Sequence, residues 1–493
     1  MRLTTAQNDR AAGVLLASAA GDALGVPYEF DTPPDADELA EMKGGGLGPF
    51  AQGEWSDDTS MAVCIAEVAA TGADLTTEEA LDAIAEGFLR WAAGPPADIG
   101  IQTSAVLRAT QGRLTGGESG PARVMREEAT AYASRNPRSA GNGALMRTAP
   151  VALAHLDNRD HLARAARAVA ALTHADPLAG DSCVLWCEAI RVAVLEGRFD
   201  ARAGLDLLPE ARRGQWASWL DDALTSAPGA FTGNGFTVTA LQAAAAAITA
   251  TPVPTLEPSA RSFPCLHLQD ALHAAVRTGH DTDTVAAIAG ALLGARWGAS
   301  AVPWRWRRAV HGWPGRGAHD LVALATLTLR GGRPHENGWP TADDVHYVEP
   351  ASSDPVPHPY DEGVVLGTHA TRGHDVDAVV SMCRVGRHQA CFAGATEVVE
   401  SRLMDSDAPD ANPNLHFALF DAADAIRGLR TEGKRVLLHC VAAEQRTPSV
   451  AAAYAVLLGH DPAAVRREVL SVLPDARGHG RLWDAAVEMP VPE

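Results

Sequence analysis

The sequence predicts a multidomain protein, an all-α domain followed by a smaller α/β domain. Three observations predict this. The chain has 493 residues, too many for one ordinary hydrophobic core. Ala and Leu recur at three- and four-residue spacing as far as about residue 330. Past a stretch rich in Pro and Gly, short apolar runs alternate with helical periodicity.

The first domain is expected over residues 1–332. AAGVLLASAAGDALG, HLARAARAVAALTHA and TVAAIAGALLGARWG read as helices. KGGGLGPF, AAGPPADIG, RSAGNGALMR and TPVPTLEPS read as the loops between helices, and few strands are expected. Residues 333–358, with HENGWP and EPASSDPV, read as a linker. The second domain is expected over 359–493. In it, DAVVSMCRVG and RVLLHC read as short buried strands, and NLHFALFDAADAIRGLR and TPSVAAAYAVLLG as helices. No repeat of fixed period is visible.

Composition excludes several classes. Hydrophobic residues make up 46% and charged residues 21%, ordinary for a globular protein. No apolar run is expected to span a membrane, and no membrane partner is expected. The start, MRLTTAQNDRAAG, lacks a signal-peptide core, so the cytoplasm is the expected compartment. Cysteines number seven, an odd count with no small disulfide framework, which fits a reducing compartment. Cys183 and Cys187 lie one helical turn apart without a Cys or His pair to complete a zinc site, and read as small buried residues. The net charge of -20 repels phosphate backbones, so no nucleic-acid partner is expected. It also repels any anionic ligand unless cations or helix N-termini compensate locally.

Two segments share a design. Trp55-Ser56-Asp57-Asp58-Thr59 and His280-Asp281-Thr282-Asp283-Thr284 each place two carboxylates and flanking hydroxyls at a helix start. Taken singly, each reads as an N-cap, because Asp and Thr side chains accept orphan backbone N–H groups. A cap needs one such residue, not two acids. If the two helix starts meet, four carboxylates crowd together and repel unless cations intervene. Oxygen ligands without nearby His or Cys select Mg2+, Mn2+ or Ca2+, and several carboxylates can hold two such ions.

Further pieces accompany these segments in order along the chain. They are Gly21-Asp22-Ala23-Leu24-Gly25 with Pro27 and Glu29, Asp98-Ile99-Gly100, Ser139-Ala140-Gly141-Asn142-Gly143 with Met146-Arg147, and Thr173-His174. The ordered set resembles the ADP-ribosylglycohydrolase family across the whole first domain. The resemblance implies a hydrolase that releases ADP-ribose from an ADP-ribosylated protein or small molecule. It implies two Mg2+ ions, with Mn2+ possible, held by Ser56, Asp57, Asp58, Asp281, Asp283 and Thr284. The family usually has Thr where Ser56 stands, which keeps the hydroxyl, and Gly where His280 stands. Glu29 and Asp98 correspond to acidic residues assigned to acid–base catalysis and to the reacting ribose. Glycosidic cleavage needs an acid for the leaving group and a base for water. The loop Ser139–Gly143, with Gly141 and Asn142, is expected to run into a helix and receive a diphosphate on its N–H groups. Gly100 is placed with the substrate, and His174 and Trp297 are the choices for contacting the distal ribose or adenine; core positions are the blander alternative for that pair.

In the second domain, Arg435 to Pro448 reads as strand, loop and helix, with Pro448 at the first helical position. Cys440 and Arg446 flank a five-residue loop at a helix N-terminus, where N–H groups stabilise a thiolate and Arg grips phosphate. Thr447 is placed to hydrogen-bond the sulfur. These residues resemble the dual-specificity phosphatase family over about residues 360–490. The resemblance implies a phosphorylated substrate, a phosphocysteine intermediate, and a general acid on the upstream acidic loop, Asp405 before Asp407. Two departures are the Ala443 that stands where the family has Gly, and the carboxylate of Glu444 in a phosphate loop. The alternative from another class is an ADP-ribose-binding module fused to a non-catalytic phosphate-binding domain.

Overall fold

Helices dominate the first part of the chain: α1 (Thr5–Gly25), α2 (Asp57–Ala69), α3 (Glu78–Ala93), α4 (Ile101–Thr115), α5 (Pro121–Arg135), α6 (Ala149–Ala154), α7 (Arg159–Ala171), α8 (Pro177–Glu196), α9 (Glu210–Thr225), α10 (Thr237–Ala250), α11 (His267–Val276), α12 (Thr282–Trp297), α13 (Trp304–Ala309) and α14 (Ala318–Leu329). This is a computed structural model, and it describes residues 3–372, 375–386, 388–392 and 394–489. The only strands here among the described residues are the two-residue pair β1 (His311–Gly312) and β2 (Arg316–Gly317).

Helix α1 starts at a capping box between Thr4 and Gln7. Every residue from Ala11 to Gly25 is buried, as a helix apolar on all sides must be. Contrary to the expectation from sequence, Thr5–Tyr28 is long and apolar enough to cross a membrane, but its apolar window is wholly buried within the protein. Its hydropathy is that of a core helix packed all round by Ala and Leu.

Helix α12 packs against α1 at backbone distance. A Cβ on Gly21 would fall 2.2 Å from the Ala286 carbonyl oxygen, and one on Gly25 would fall 2.4 Å from Cα of Asp283. Gly at these two places is therefore a condition of the close approach. It sets Asp22 of α1 beside the acidic start of α12.

The chain divides into two units, one of Met1–Pro252, His267–Val302 and Ala309–Arg333, the other of Val253–Leu266, Pro303–Arg308 and Pro334–Glu493. The sequence reading has no counterpart for the two early segments of the second unit. Phe263 meets Phe417 and Phe420 there, with ring centroids 5.8 and 5.6 Å apart. Trp304 donates from its backbone N–H to Asp421 at 2.7 Å and from its indole to Asp424 at 2.8 Å.

The second unit carries β3 (Val356–His358), β4 (Asp361–Thr368), β5 (Ala378–Ser381), β6 (Glu397–Glu400), α15 (Leu415–Thr431), β7 (Val436–Cys440), α16 (Arg446–Leu457), α17 (Pro462–Val472) and α18 (Arg481–Val487). Its sheet runs β3-β4-β7-β5-β6, parallel except for β3 against β4. Strand β7 is central and buried along its length, as expected of a parallel strand covered on both faces. Cys440 is its last residue. The segment read as a linker is partly folded: Trp339 is fully buried, Val345 is buried, and its last three residues form β3. Its few apolar side chains give an otherwise polar stretch something to bury. Helix α16 begins at Arg446, so Pro448 is the third helical residue rather than the first.

Candidate functional site

The two acid pairs meet, and at neither helix does the N-cap side chain make the capping bond. Ser56 is the N-cap of α2 but makes no capping bond with its side chain. The cap comes from another helix. Asp22 of α1 accepts from the backbone N–H of Ser56 at 2.9 Å, the N–H of Thr59 at 2.9 Å and the Thr59 hydroxyl at 2.6 Å. Asp57 and Asp58, in the first turn of α2, are thereby released from capping. Asp281 is the N-cap of α12 and likewise makes no capping bond with its side chain; its carboxylate accepts from the amide of Asn142 at 2.8 Å.

Carboxylate oxygens of Asp22, Asp58 and Asp283 all lie within 4.8 Å of one another, and so do those of Glu29, Asp281 and Asp283. Asp283 belongs to both groups and joins them. Ser56 and Thr284 donate their hydroxyls to one oxygen of Asp58, at 3.0 and 3.3 Å. The other oxygen, Oδ1, is buried and has no hydrogen-bond partner among the described residues. Asp57 joins neither group. It accepts from the N–H of Gly100 at 3.3 Å and lies on the side of Asp98.

The carboxyls raise one another's affinity for protons. Burial, then Asp98 and Asp22, push Asp57 up to about 8. Burial, then Asp281, Asp98, Asp57 and Asp22, push Glu29 up to about 9. Asp58 and Asp283 are pushed well above the ordinary range, chiefly by burial and then by other carboxylates. The charged neighbours that push these groups up are themselves acids, and Arg147 acts on Asp57 against them. A buried oxygen without a donor, surrounded by hard oxygen ligands and uncompensated negative charge, fits divalent cations of the Mg2+ class.

Glu29 is buried and Asp98 half-buried, so the acids flank the cluster on the Asp281–Asp283 and Asp57 sides respectively. Ser139 is buried, and the loop after it turns into a single 3-10 turn, Asn142–Ala144, rather than the expected α-helix. The N–H of Asn142 donates to Gly235 at 3.1 Å, so the loop lacks the helix dipole that made it an anion receptor. What it does instead is place Asn142 on Asp281. Gly141 and Gly143 lie over His174, where a Cβ on either would come within 3.2 and 3.0 Å of the ring.

His174 thus takes the core position that was its alternative. It is 3% exposed, bonded to the Thr173 hydroxyl at 2.8 Å, and pushed down to about 3 by burial and Arg147. Trp297 is excluded by distance. It ends α12, about 24 Å along the axis from Asp281 at 1.5 Å per residue, and donates to His267 at 3.0 Å. His280 is exposed with φ 61°, a left-handed conformation that explains why Gly is usual there. Cys183 and Cys187 are buried and unpaired, as expected.

A family model for ADP-ribosylglycohydrolase matches residues 3–336. The chain belongs to that family. It is 29% identical over 306 residues to an ADP-ribosylarginine hydrolase of Pseudomonas putida, covering 60% of this chain and 73% of that protein. It is 33% identical over 183 residues to an ADP-ribosyl-dinitrogen-reductase glycohydrolase of Rhodospirillum rubrum, covering 36% of this chain and 55% of that one. A solved structure of an ADP-ribosylglycohydrolase-related protein complex aligns with a TM-score of 0.50 at 28% identity, covering 67% of this chain and 100% of its own.

Within the family region the residue missed from sequence is Asp22. Its signal was an acid in the middle of an Ala/Gly helix, where a charge must have a partner. The cysteine loop lies outside the family match. Cys440 is fully buried at the end of β7, and Arg446, first in α16, donates to the carbonyl of Met382 at 2.7 Å. Nε of Arg446 is buried without a hydrogen-bond partner among the described residues and lies 3.6 Å from Asp405. Asp407 instead accepts from the N–H of Arg481 at the start of α18, at 2.8 Å. Glu444 is turned to Arg477, 3.7 Å away. Ala443 has φ 57°, the conformation that favours Gly. The Thr447 hydroxyl points at the Gly367 carbonyl at 3.5 Å.

Proposed function

We propose that the helical unit hydrolyses the glycosidic bond between ADP-ribose and an acceptor group on a protein or small molecule. The observation that carries this is the meeting of the two acid pairs through Asp283, with Oδ1 of Asp58 left unpartnered. Family membership and the names of the two relatives support it. Two Mg2+ ions, or Mn2+, held by Ser56, Asp57, Asp58, Asp281, Asp283 and Thr284 would offset the negative charge and orient vicinal ribose hydroxyls. Asp22 holds the start of α2 in place for them. Glu29 and Asp98 form the acid–base pair. One protonates the leaving atom as its bond to the ribose C1 breaks, and the other takes a proton from the water that adds to C1.

Arginine is the first acceptor to try, since one relative is an ADP-ribosylarginine hydrolase. The test is a panel of ADP-ribosylated arginine, serine, ester and small-molecule substrates with Mg2+, read by free ADP-ribose. Release from at least one supports the reading. Tight binding of ADP-ribose with no release from any makes the unit a reader instead.

We assign to the second unit a cysteine-dependent phosphatase activity, because Cys440 ends its central strand, Arg446 opens the helix after the following loop, and Asp405 lies 3.6 Å from Arg446. The sulfur of Cys440 attacks phosphorus while Arg446 binds the phosphoryl oxygens. Asp405 protonates the departing oxygen, Thr447 steadies the sulfur, and water then cleaves the P–S bond. Phosphate release from an aryl phosphate, lost in Cys440→Ser with ADP-ribose release intact, is the expected result. No release from the intact chain would leave this unit a phosphate-binding module.

A further inference from the structure

A second group of metal-ligating side chains lies apart from the acid cluster. Asp74 sits in the loop between α2 and α3, His155 is the C-cap residue of α6, and His161 is in the first turn of α7. These residues are brought together by tertiary packing, since the loop after α2 and the turn between α6 and α7 are far apart along the chain. One ligand atom from each lies within 4.8 Å of the other two. The two imidazole rings are tilted at 49° with centroids 6.3 Å apart, too far for a stacked pair.

We propose that Asp74, His155 and His161 form a site for a borderline transition-metal ion, Zn2+ or a close relative, that clamps the loop after α2 to the turn between α6 and α7. His155 is 7% exposed, and its Nε2 is buried with no hydrogen-bond partner among the described residues. A buried ring nitrogen of this kind needs a partner, and an ion at the group's centre supplies one. The donor set differs in kind from the acid cluster. Two imidazoles and one carboxylate suit Zn2+, whereas oxygen ligands alone suit Mg2+. One oxygen of Asp74 is already fixed by the N–H and hydroxyl of Thr76, at 2.9 and 2.7 Å. Such outer bonds orient a ligating carboxylate and leave its second oxygen for the ion. Bonds of 2.0–2.1 Å to tetrahedral zinc put ligand atoms about 3.3 Å apart, so small side-chain rotations complete the site. Water takes the fourth position from the exposed Asp74 side.

The clamp lies beyond the C-terminal end of α2, and Asp57 and Asp58 lie at its N-terminal end, about 20 Å away along the helix. Its role is therefore structural, and it steadies a helix that carries two acids of the main site. Co2+ is the probe, because four-coordinate Co2+ with imidazole ligands absorbs strongly in the visible and Co2+ among oxygens does not. The full chain, held in excess Mg2+, is titrated with Co2+ and followed by absorption and by unfolding temperature. One strongly absorbing ion per chain and a raised unfolding temperature are expected. His161→Ala and Asp74→Asn, which alter residues that are not buried, should each weaken binding by more than about tenfold and erase the band. Asp57→Ala should keep both the band and its affinity. No band in the intact chain, or a band unchanged in His161→Ala and Asp74→Asn, would overturn the proposal.

Discussion

The acid cluster of the helical unit and the cysteine loop of the α/β unit treat charge in opposite ways. In the cluster, the carboxyls of Asp22, Glu29, Asp57, Asp58, Asp281 and Asp283 are pushed upward, first by burial and, for all but Asp22, then by neighbouring carboxylates. Around the cysteine loop the charges are matched: Arg446 has Asp405, and Glu444 has Arg477. The first site gathers an excess of negative charge, which the proposed cations would offset. The second is balanced, and an arriving anion has to compete with Asp405 for Arg446.

The sharpest way to break this contrast is Asp58→Ala. It should cut ADP-ribose release by about a hundredfold or more, since outer partners of a ligand already cost about ten- to a hundredfold. Phosphate release should not change. Because a repelling charge is removed, the unfolding temperature without metal should hold or rise. A fall in both activities, with a large loss of stability, would mean Asp58 is structural instead.

Beside the cysteine loop, Asp405→Asn should lower phosphate turnover about a hundredfold, the usual scale for a general acid, and flatten the alkaline limb of its pH profile, where the acid would lose its proton. Asp407→Ala should leave turnover near that of the intact chain and cost about 1 kcal/mol of stability, because it removes the acceptor for the N–H at the start of α18. Equal turnover losses would remove the distinction between the two acids.

A smaller effect is expected from pH. Asp57 and Glu29 stand at about 8 and about 9 when folded, above their ordinary 3.8 and 4.5. Their protonated forms therefore favour the fold most fully below about pH 4, and this contribution is lost as pH rises through 8 and 9. On the proposed function, divalent cations would take over from protons in that window. The rise in unfolding temperature on adding Mg2+ should accordingly be larger at about pH 9 than at about pH 6. A rise that shrinks with pH would contradict a cation-completed cluster.

The smallest effect concerns two loops with the same strain. His280 and Ala443 both take left-handed backbone, at φ 61° and 57°. His280→Gly and Ala443→Gly should each stabilise their unit by about 1 kcal/mol, less the added chain entropy of Gly. Denaturant unfolding checks this, and a loss of more than that in either would show that the side chain is itself engaged.

Much of this site was legible because its signals are local. Two acids with hydroxyls at a helix start, or a Cys and an Arg bracketing a short loop, announce themselves within a few residues. What was not legible is non-local. Asp22 caps α2 from a different helix, and nothing near Ser56 in sequence reveals it. Trp297 looked placed for a ligand until the length of α12 carried it away from Asp281. His174 looked like a ligand contact but is covered by two glycines of another loop. Val253–Leu266 and Pro303–Arg308 read as parts of the helical domain, yet their aromatic side chains pack in the other unit. Asp74, His155 and His161 come from separate loops, so only tertiary structure groups them.

The most direct test of the cation-completed acid site uses the intact chain and an ADP-ribosylated arginine protein. ADP-ribose release is measured with Mg2+, after chelation, and after Mg2+ is restored. The account predicts release, its loss and its return, with phosphate release from an aryl phosphate unaffected throughout. Undiminished ADP-ribose release in the presence of chelator would contradict it.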